Sequence, residues 1–292
     1  MMKTYLLLLL SVFSVILVGC PSDDGTNTNT ITFGSTAPPF VYVSNQGSNN
    51  VSAYTINGAN GALAVVAGSP FGAGTTPNAV ALSSNGQFLY VANGGSNNIS
   101  AFTTNTTTGV LTAVAGSPFG AGTAPNALTV SPNGQFLFVA NGGGNVSAYA
   151  ITTGTGVLTP VAGSPFGAGT TPNAVTVSPN GQFLFVANGG GDVSAYTIAA
   201  GTGALTAVAG SPFGAGTTPK SLAVSPNGEF LFVANQGSND VSAYTIAAGT
   251  GVLTAVAGLP FGAGTTPNAV TVLPGGKFLY VANGDGNVSV YT

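Results

Sequence analysis

The chain has 292 residues and carries almost no charge, with 3 Lys and Arg against 6 Asp and Glu, whereas 44% of its residues are hydrophobic. The three cations are Lys3, Lys220 and Lys277, and there is no His. Because nucleic acid binding requires a clustered basic face, this composition excludes a nucleic acid partner. The 17 Phe and 9 Tyr are enough to form a folded core despite the 45 Gly.

The first segment, residues 1–19, has the features of a bacterial export signal. Lys3 precedes an apolar run from Tyr5 to Val18, which is shorter than the roughly 20 residues of a membrane span. The run ends in Leu-Val-Gly-Cys, which resembles the lipobox of lipoprotein signal peptides. The resemblance implies lipidation of Cys20, cleavage before it, and a membrane partner reached through the lipid. An ordinary signal peptide is the alternative, although Cys20 is the single cysteine of the chain.

Residues 20–30 are polar and without periodicity, and we interpret them as a flexible tether. The organisation expected from the sequence is therefore a signal peptide (1–19), a lipidated Cys20 with its tether (20–30), and a folded domain (31–292). The expected location is the bacterial cell envelope, with the exported protein lipid-anchored at the outer membrane or cell surface.

The folded domain is an internal repeat of 47 or 48 residues. The pattern Phe-x-Tyr/Phe-Val-Ala/Ser-Asn ends at Asn45, Asn93, Asn141, Asn188, Asn235 and Asn283. Between these sites the motif Ser/Leu-Pro-Phe-Gly-Ala-Gly recurs five times, with its Phe at Phe71, Phe119, Phe166, Phe213 and Phe261. This period is typical of the four-stranded blades of β-propellers.

One repeat predicts four strands, A to D. Strand A covers 174–178, and the following Asn180-Gly181 favours a type I′ hairpin. Strand B covers 183–187 and is apolar on both faces, strand C covers 193–198, and strand D covers 204–209. The segment 211–219 is interpreted as the return to the next strand A.

Counting the strands predicts an all-β fold, a β-propeller of about six blades. Strands B and C occur six times, and Ile31-Thr-Phe33 lies at the spacing of the first strand A. The last blade is short, because its strand D is missing, and closure would need an N-terminal segment to supply the outer strand. A truncated seven-bladed parent is the alternative.

The motifs SPNGQFLFVAN, NVSAYTI and GVLTPVAGSPF resemble the lactonase-type propellers related to 6-phosphogluconolactonase, and also the YVTN surface repeats. The resemblance covers residues 31–292. It implies a propeller fold and suggests a lactonase-like hydrolase as one function, although repeats of this kind are structural.

The few ionisable side chains are the candidates for a site. In a propeller the D-to-A and B-to-C connections share one face. Asp192, Asp240 and Asp285 lie in B-to-C turns, and Lys220 starts a strand A where the other blades have Asn. We expect these four residues to form a ligand-binding surface on one face. Two further charged residues, Glu229 and Lys277, lie in A-to-B turns, and we expect them on the other face.

These candidates favour binding over catalysis. Without His or Arg, lactone hydrolysis would depend on carboxylates and one lysine. The three Asp alternate with Asn at turns, where both residues bond to local backbone. A Ca²⁺ site at Asp240 and Asp285 would be chemically suitable, but the spacing matches no loop motif, so we expect no metal, no cofactor and no catalytic residue.

The main hypothesis is a lipid-anchored propeller that binds or displays protein or glycan ligands. The sequence favours a binding protein over an enzyme. The alternative is a lactonase-like hydrolase. The recurrent Phe of the Pro-Phe-Gly motif either forms an exposed aromatic ring or packs between blades, and the tight Pro and Gly context favours packing.

Overall fold

The computed structural model describes residues 15–17, 40–258 and 260–292. The regular elements of these ranges are all β-strands, arranged in six sheets that follow each other along the chain. In the part of the chain that is described, no helix is long and apolar enough to span a bilayer.

Five of the sheets share one plan of five strands. Blade 1 contains β1 (Val15–Leu17), β2 (Phe40–Asn45), β3 (Asn50–Ile56), β4 (Leu63–Val65) and β5 (Phe71–Gly72). Blade 2 contains β6 (Pro77–Leu82), β7 (Phe88–Asn93), β8 (Asn98–Thr104), β9 (Leu111–Ala113) and β10 (Phe119–Gly120). Blade 3 contains β11 (Pro125–Val130), β12 (Phe136–Asn141), β13 (Asn145–Ile151), β14 (Leu158–Pro160) and β15 (Phe166–Gly167).

The remaining blades repeat the plan, and the last one is shorter. Blade 4 contains β16 (Pro172–Val177), β17 (Phe183–Asn188), β18 (Asp192–Ile198), β19 (Leu205–Ala207) and β20 (Phe213–Gly214). Blade 5 contains β21 (Pro219–Val224), β22 (Phe230–Asn235), β23 (Asp240–Ile246), β24 (Leu253–Ala255) and β25 (Phe261–Gly262). Blade 6 contains β26 (Pro267–Val272), β27 (Leu279–Asn283) and β28 (Val288–Tyr291).

Each blade is an antiparallel meander. In blade 4, β16 pairs with β17 and β17 pairs with β18, with one register shift at the start of β16. The first strands of neighbouring blades lie beside one another, so they surround a central channel while the later strands extend outward. The prediction of a six-bladed, all-β propeller with a short last blade is therefore confirmed.

The outer strand differs from its prediction, because it is split into two pieces. β19 pairs with the end of β18, and β20 pairs with its beginning, Val193 lying opposite Phe213. The Pro-Phe-Gly motif, interpreted from the sequence as part of a return loop, thus contributes the second half of the outer strand. Its Phe packs on the inter-blade core in each blade (Phe71, Phe119, Phe166, Phe213 and Phe261), which confirms the packing interpretation.

The hairpin between the first two strands also differs from its prediction. Gly181 has a φ of +74°, but Asn180 is not among the residues of positive φ, so the turn is not type I′. Instead the Gly181 amide donates to the Ser178 carbonyl at 2.8 Å. Pro179 and Asn180 are then the central residues, because Pro179 cannot adopt the positive φ of a type I′ turn.

The inner strand of blade 1 is β1, which pairs with β2 through Val15 opposite Val43. The strand predicted for this position, Ile31-Thr-Phe33, lies outside the described part, as do Cys20 and the tether. β1 lies within the segment predicted to be a signal peptide, so cleavage before Cys20 would remove it from blade 1. The division of residues 1–30 into signal peptide, lipidated cysteine and tether stays a prediction.

The core lies between the blades. On β12, Phe136, Phe138 and Ala140 face blade 4, whereas Leu137 and Val139 face blade 2. Burying one such side chain contributes about 1.5–3 kcal/mol. The second strand is therefore apolar on both faces because both of its faces meet a neighbouring blade.

Candidate functional site

One face of the propeller carries both the B-to-C turns and the D-to-A connections, as the sequence predicted. In blade 2 the Gly94 amide donates to the Thr76 carbonyl at 2.8 Å, and the Gly95 amide to the Thr75 carbonyl at 3.0 Å. These bonds hold the turn after β7 against the connection that leads into β6. We call this surface the turn face.

A ring of carboxamides lies at the turn face where the inner strands begin. Asn78, Asn126 and Asn173 each donate from Nδ2 to the Pro carbonyl that starts the next blade's inner strand, at 3.0, 2.9 and 2.9 Å. Each side chain is partly buried and joins two blades at the channel mouth. We call these Asn, together with Asn268, Gln46 and Gln236, the amide collar.

Lys220 interrupts the collar in blade 5. It takes the Asn position, its side chain is exposed, and it therefore does not make the bond that Asn173 makes one blade earlier. The link to blade 6 is supplied by Gln236, whose Nε2 donates to Asn268 Oδ1 at 2.5 Å.

Blade 1 uses the same substitute. Its inner strand β1 has no Asn, and Gln46 donates to Asn78 Oδ1 at 2.8 Å. Gln thus occupies the turn in the two blades that lack the collar Asn, whereas the other blades have Gly there. A β-carbon on Gly94 would approach the Asn78 side chain to 2.3 Å, which explains why Asn and Gln do not occur together within one blade.

Sequence reasoning missed Gln46 and Gln236. The signal was present, because each is the exception to Gly at the residue after the conserved Asn. It was not recognised because the partner of each Gln lies 32 residues away in the next blade.

Asp192 and Asp240 are held within their own blades. Asn188 Nδ2 donates to Asp192 Oδ1 at 2.6 Å, and Asn235 Nδ2 donates to Asp240 Oδ1 at 2.7 Å. In blade 3 the same acceptor is Asn145. A carboxylate oxygen therefore replaces the amide oxygen as acceptor at this turn position. The bond from Asn uses Oδ1 of each Asp and leaves its other carboxylate oxygen, Oδ2, outside this bond.

Asp285 sits differently, on the outside of its turn. Its Oδ2 accepts from the Thr265 amide at 3.0 Å and its Oδ1 from the Asn287 amide at 3.1 Å. The bond from the Thr265 amide, followed by that from Asn287, lowers the pKa of Asp285. The carboxylate is exposed and stays ionised near neutral pH.

The four candidates lie on the turn face, distributed over blades 4 to 6. Within residues 40–258 and 260–292, no group of three acidic or other metal-ligating side chains converges. Glu229 lies on the opposite face, where its Oε2 accepts from Asn227 at 2.7 Å. The exposed cation Lys220 beside the amide collar is thus the distinctive chemical feature of the channel mouth.

The fold is a β-propeller, and its channel mouth at the turn face is ringed by uncharged carboxamides. Five overlapping segments (33–119, 69–171, 116–209, 161–260 and 210–292) match the family described as lactonase, 7-bladed β-propeller. The chain belongs to this lactonase family of propellers. The described residues form six blades, whereas the family description gives seven.

Solved structures agree on the fold. A candidate 6-phosphogluconolactonase from Bacteroides uniformis superposes with a TM-score of 0.75 at 23% identity, covering 87% of this chain and 77% of that one. The periplasmic gluconolactonase PpgL of Pseudomonas aeruginosa gives a TM-score of 0.65 at 20% identity, covering 87% and 70%. Comparison with curated protein sequences finds no match.

Proposed function

We propose that this propeller binds a polyhydroxylated, acidic sugar derivative, of the aldonic acid or phosphorylated sugar lactone type, at the amide-ringed channel mouth. The observation that carries the proposal is that Lys220 takes the position of a collar Asn but has an exposed side chain. Gln236 takes over the link between blades 5 and 6, so the Lys220 ammonium is exposed beside carboxamides that can bond to hydroxyl groups. An ammonium supplies the charge that a carboxylate or phosphate requires.

The family supports this choice of ligand class. The structural neighbours named above are described as lactonases of gluconate derivatives. A propeller of the same family with an amide collar suits the same kind of small polyol, and binding needs no proton-transfer group.

Hydrolysis of the lactone is the second candidate function, and membership of the lactonase family favours it. Asp240 is the carboxylate of the blade that carries Lys220, so it would be the base that activates water. Binding without turnover is our first choice, because Asp240 is engaged by Asn235 and the chain has no His or Arg.

A hydrolysis assay separates the two functions. The domain is incubated with glucono-1,5-lactone, and the acid released is followed with and without added divalent metal. We expect the rate to equal the spontaneous rate. A faster rate that disappears in Asp240→Asn would establish the second candidate, since Asn keeps the hydrogen bond from Asn235 but cannot act as a base.

We also propose that the protein works at the bacterial cell envelope, anchored through lipid on Cys20. More than one acyl chain would make this attachment firm, because a single chain binds only marginally. Labelled fatty acid should enter the wild-type protein but not Cys20→Ser, which should leave the membrane fraction. Equal labelling of both proteins would contradict the anchor.

A further inference from the structure

The chain is rich in Asn-Gly dipeptides, in which the Gly nitrogen can attack Cγ of the Asn side chain because Gly has no β-carbon to obstruct it. The attack requires that nitrogen to lose its proton and turn toward Cγ. A hydrogen bond from the Gly amide to a fixed carbonyl therefore opposes the reaction. Ten Asn residues are followed directly by Gly: Asn57, Asn60, Asn85, Asn93, Asn133, Asn141, Asn180, Asn188, Asn227 and Asn283.

Eight of these pairs lie in turns that recur around the propeller, and their Gly amides are engaged. In the turn between the first two strands of a blade, the amide donates to a Ser carbonyl at 2.8 Å (Gly86, Gly134, Gly181 and Gly228). After the second strand, where the Asn is buried, the amide donates to a carbonyl of the D-to-A connection at 2.8 or 2.9 Å (Gly94, Gly142, Gly189 and Gly284). The fold thus opposes the reaction at all eight.

The turn between β3 and β4 holds the other two pairs, and it treats them differently. Residues 57–60 are exposed. The Gly61 amide donates to the Asn57 carbonyl at 2.7 Å, so Asn60 is protected like the other eight. Among the described residues, no acceptor is found for the Gly58 amide. Asn57-Gly58 therefore combines an exposed side chain with an unengaged attacking nitrogen.

The Asn57 side chain is also held in a reactive arrangement. Its Oδ1 accepts from the Ala59 amide at 2.9 Å. Negative charge gathers on this oxygen when a nitrogen adds to Cγ, and an amide that donates to it stabilises that charge. The bond does not involve Nδ2, the group that leaves.

We propose that Asn57 is a site of spontaneous deamidation in the folded protein. The Gly58 nitrogen gives its proton to water or hydroxide and bonds to Cγ. The bond from Cγ to Nδ2 breaks, and Nδ2 takes up a proton and leaves as ammonia. Water then opens the succinimide ring at either of its two carbonyls, which produces aspartate or isoaspartate. The product adds one negative charge to a chain whose net charge is -3.

Blade 2 provides a natural comparison. Asn105 begins the corresponding turn, and its Oδ1 accepts from the Thr107 and Thr108 amides, both at 3.0 Å. The Gly109 amide donates to the Asn105 carbonyl at 2.7 Å, as Gly61 does to Asn57. The attacking nitrogen here would belong to Thr106, whose branched side chain obstructs the approach. Asn105 should therefore stay intact, and Thr106→Gly should make it reactive.

Peptide mass spectrometry of aged protein tests the proposal. The purified protein is incubated in mildly alkaline buffer, folded or unfolded in urea, and digested with chymotrypsin. In the folded protein, the mass gain of amide to acid should accumulate in the peptide that follows Tyr54, with fragment ions placing it at Asn57. In urea, peptides from the other Asn-Gly pairs should gain mass as well, because their hydrogen bonds are lost.

Matched variants separate the two Asn of this turn. Asn57→Gln should abolish the acidic form on isoelectric focusing, whereas Asn60→Gln should form it as fast as the wild type. Thr106→Gly should add a second acidic form that maps to Asn105. Deamidation of the folded protein at Asn60 or at the Asn85 turn as fast as at Asn57, or none at Asn57, would overturn the proposal.

Discussion

Phe88 lies so close to Gly156 of the next blade that a β-carbon on Gly156 would be 2.3 Å from Cδ1 of Phe88. The first Phe of the second strand meets the Gly of the next blade's C-to-D turn in the same way in blades 1, 3 and 4: Phe40 with Gly109, Phe136 with Gly203, and Phe183 with Gly251. This contact sets how closely neighbouring blades approach.

Gly156→Ala should therefore destabilise the protein more than Gly154→Ala. The two glycines have φ angles of +72° and +81°, so both substitutions introduce a similar backbone strain of about 1 kcal/mol. Only Gly156→Ala also forces Phe88 to move, which adds about 1–3 kcal/mol. Urea denaturation gives the two free energies of unfolding, and equal values would show that the contact is not tight.

A Tyr hydroxyl reinforces this junction in two blades. Tyr90 donates to the Gly156 carbonyl at 3.1 Å, whereas blade 3 has Phe138 at the same position. Tyr90→Phe should lower the free energy of unfolding by about 0.5–1.5 kcal/mol. Phe138→Tyr should raise it by a similar amount, because the new hydroxyl can donate to the Gly203 carbonyl. A loss in both variants would mean that blade 3 has no room for the hydroxyl.

Alkaline pH should weaken the fold through these buried phenols. Burial raises the pKa of Tyr42 from its ordinary 10.0 to about 12, so the folded state keeps a proton that the unfolded state releases. The stability from this group is complete below pH 10 and is lost as the pH rises from 10 to 12. Urea midpoints at about pH 8 and about pH 11 should fall less in Tyr42→Phe than in the wild type. An identical fall would contradict this assignment.

The exchange of Lys220 and Gln236 for the pair found in blade 4, Asn and Gly, tests how the collar is built. Gln236→Gly alone should lower stability by about 1 kcal/mol by removing the bond to Asn268. Lys220→Asn alone should also destabilise, because Asn and Gln compete for one space. The double variant should regain wild-type stability by restoring the Asn-to-Pro bond. A double variant as unstable as the sum of the two changes would show that the two positions are independent.

How far the sequence predicts this molecule depends on the range of each interaction. The repeat period located Asn93 and Asn188, and the order of strands placed Asp192 and Lys220 on one face. Local composition could not show that Phe213 pairs with Val193, because a Pro-Phe-Gly segment has the composition of a loop. The Asn residues of the collar could be predicted from their recurrence at the start of strand A. The Gln hydrogen bonds join different blades, so the structure was needed to identify them.

The affinity for gluconate should depend only weakly on salt concentration if the ligand binds beside Lys220. Among the described residues Lys220 is the one cation beside the collar, so a bound carboxylate makes one charged contact and the rest of the affinity comes from hydrogen bonds to the amides. Raising the ionic strength from about 0.05 to about 0.3 M should weaken gluconate binding by no more than a few-fold. A loss of two orders of magnitude would indicate a charged surface that these residues do not form.

Calorimetric titration of gluconate into the wild type and the Lys220→Asn, Gln236→Gly double variant tests the central claim most directly. The double variant rebuilds the collar in the form found in blade 4, with Asn in place of the Gln236 link, and removes the exposed ammonium, so its urea midpoint should match the wild type. Lys277→Gln, on the opposite face, is the charge-matched control. We predict binding by the wild type and by Lys277→Gln, with affinity reduced at least about tenfold in the double variant, the worth of one charged hydrogen bond. Equal affinity in all three proteins, or no binding by the wild type, would contradict a ligand site at Lys220.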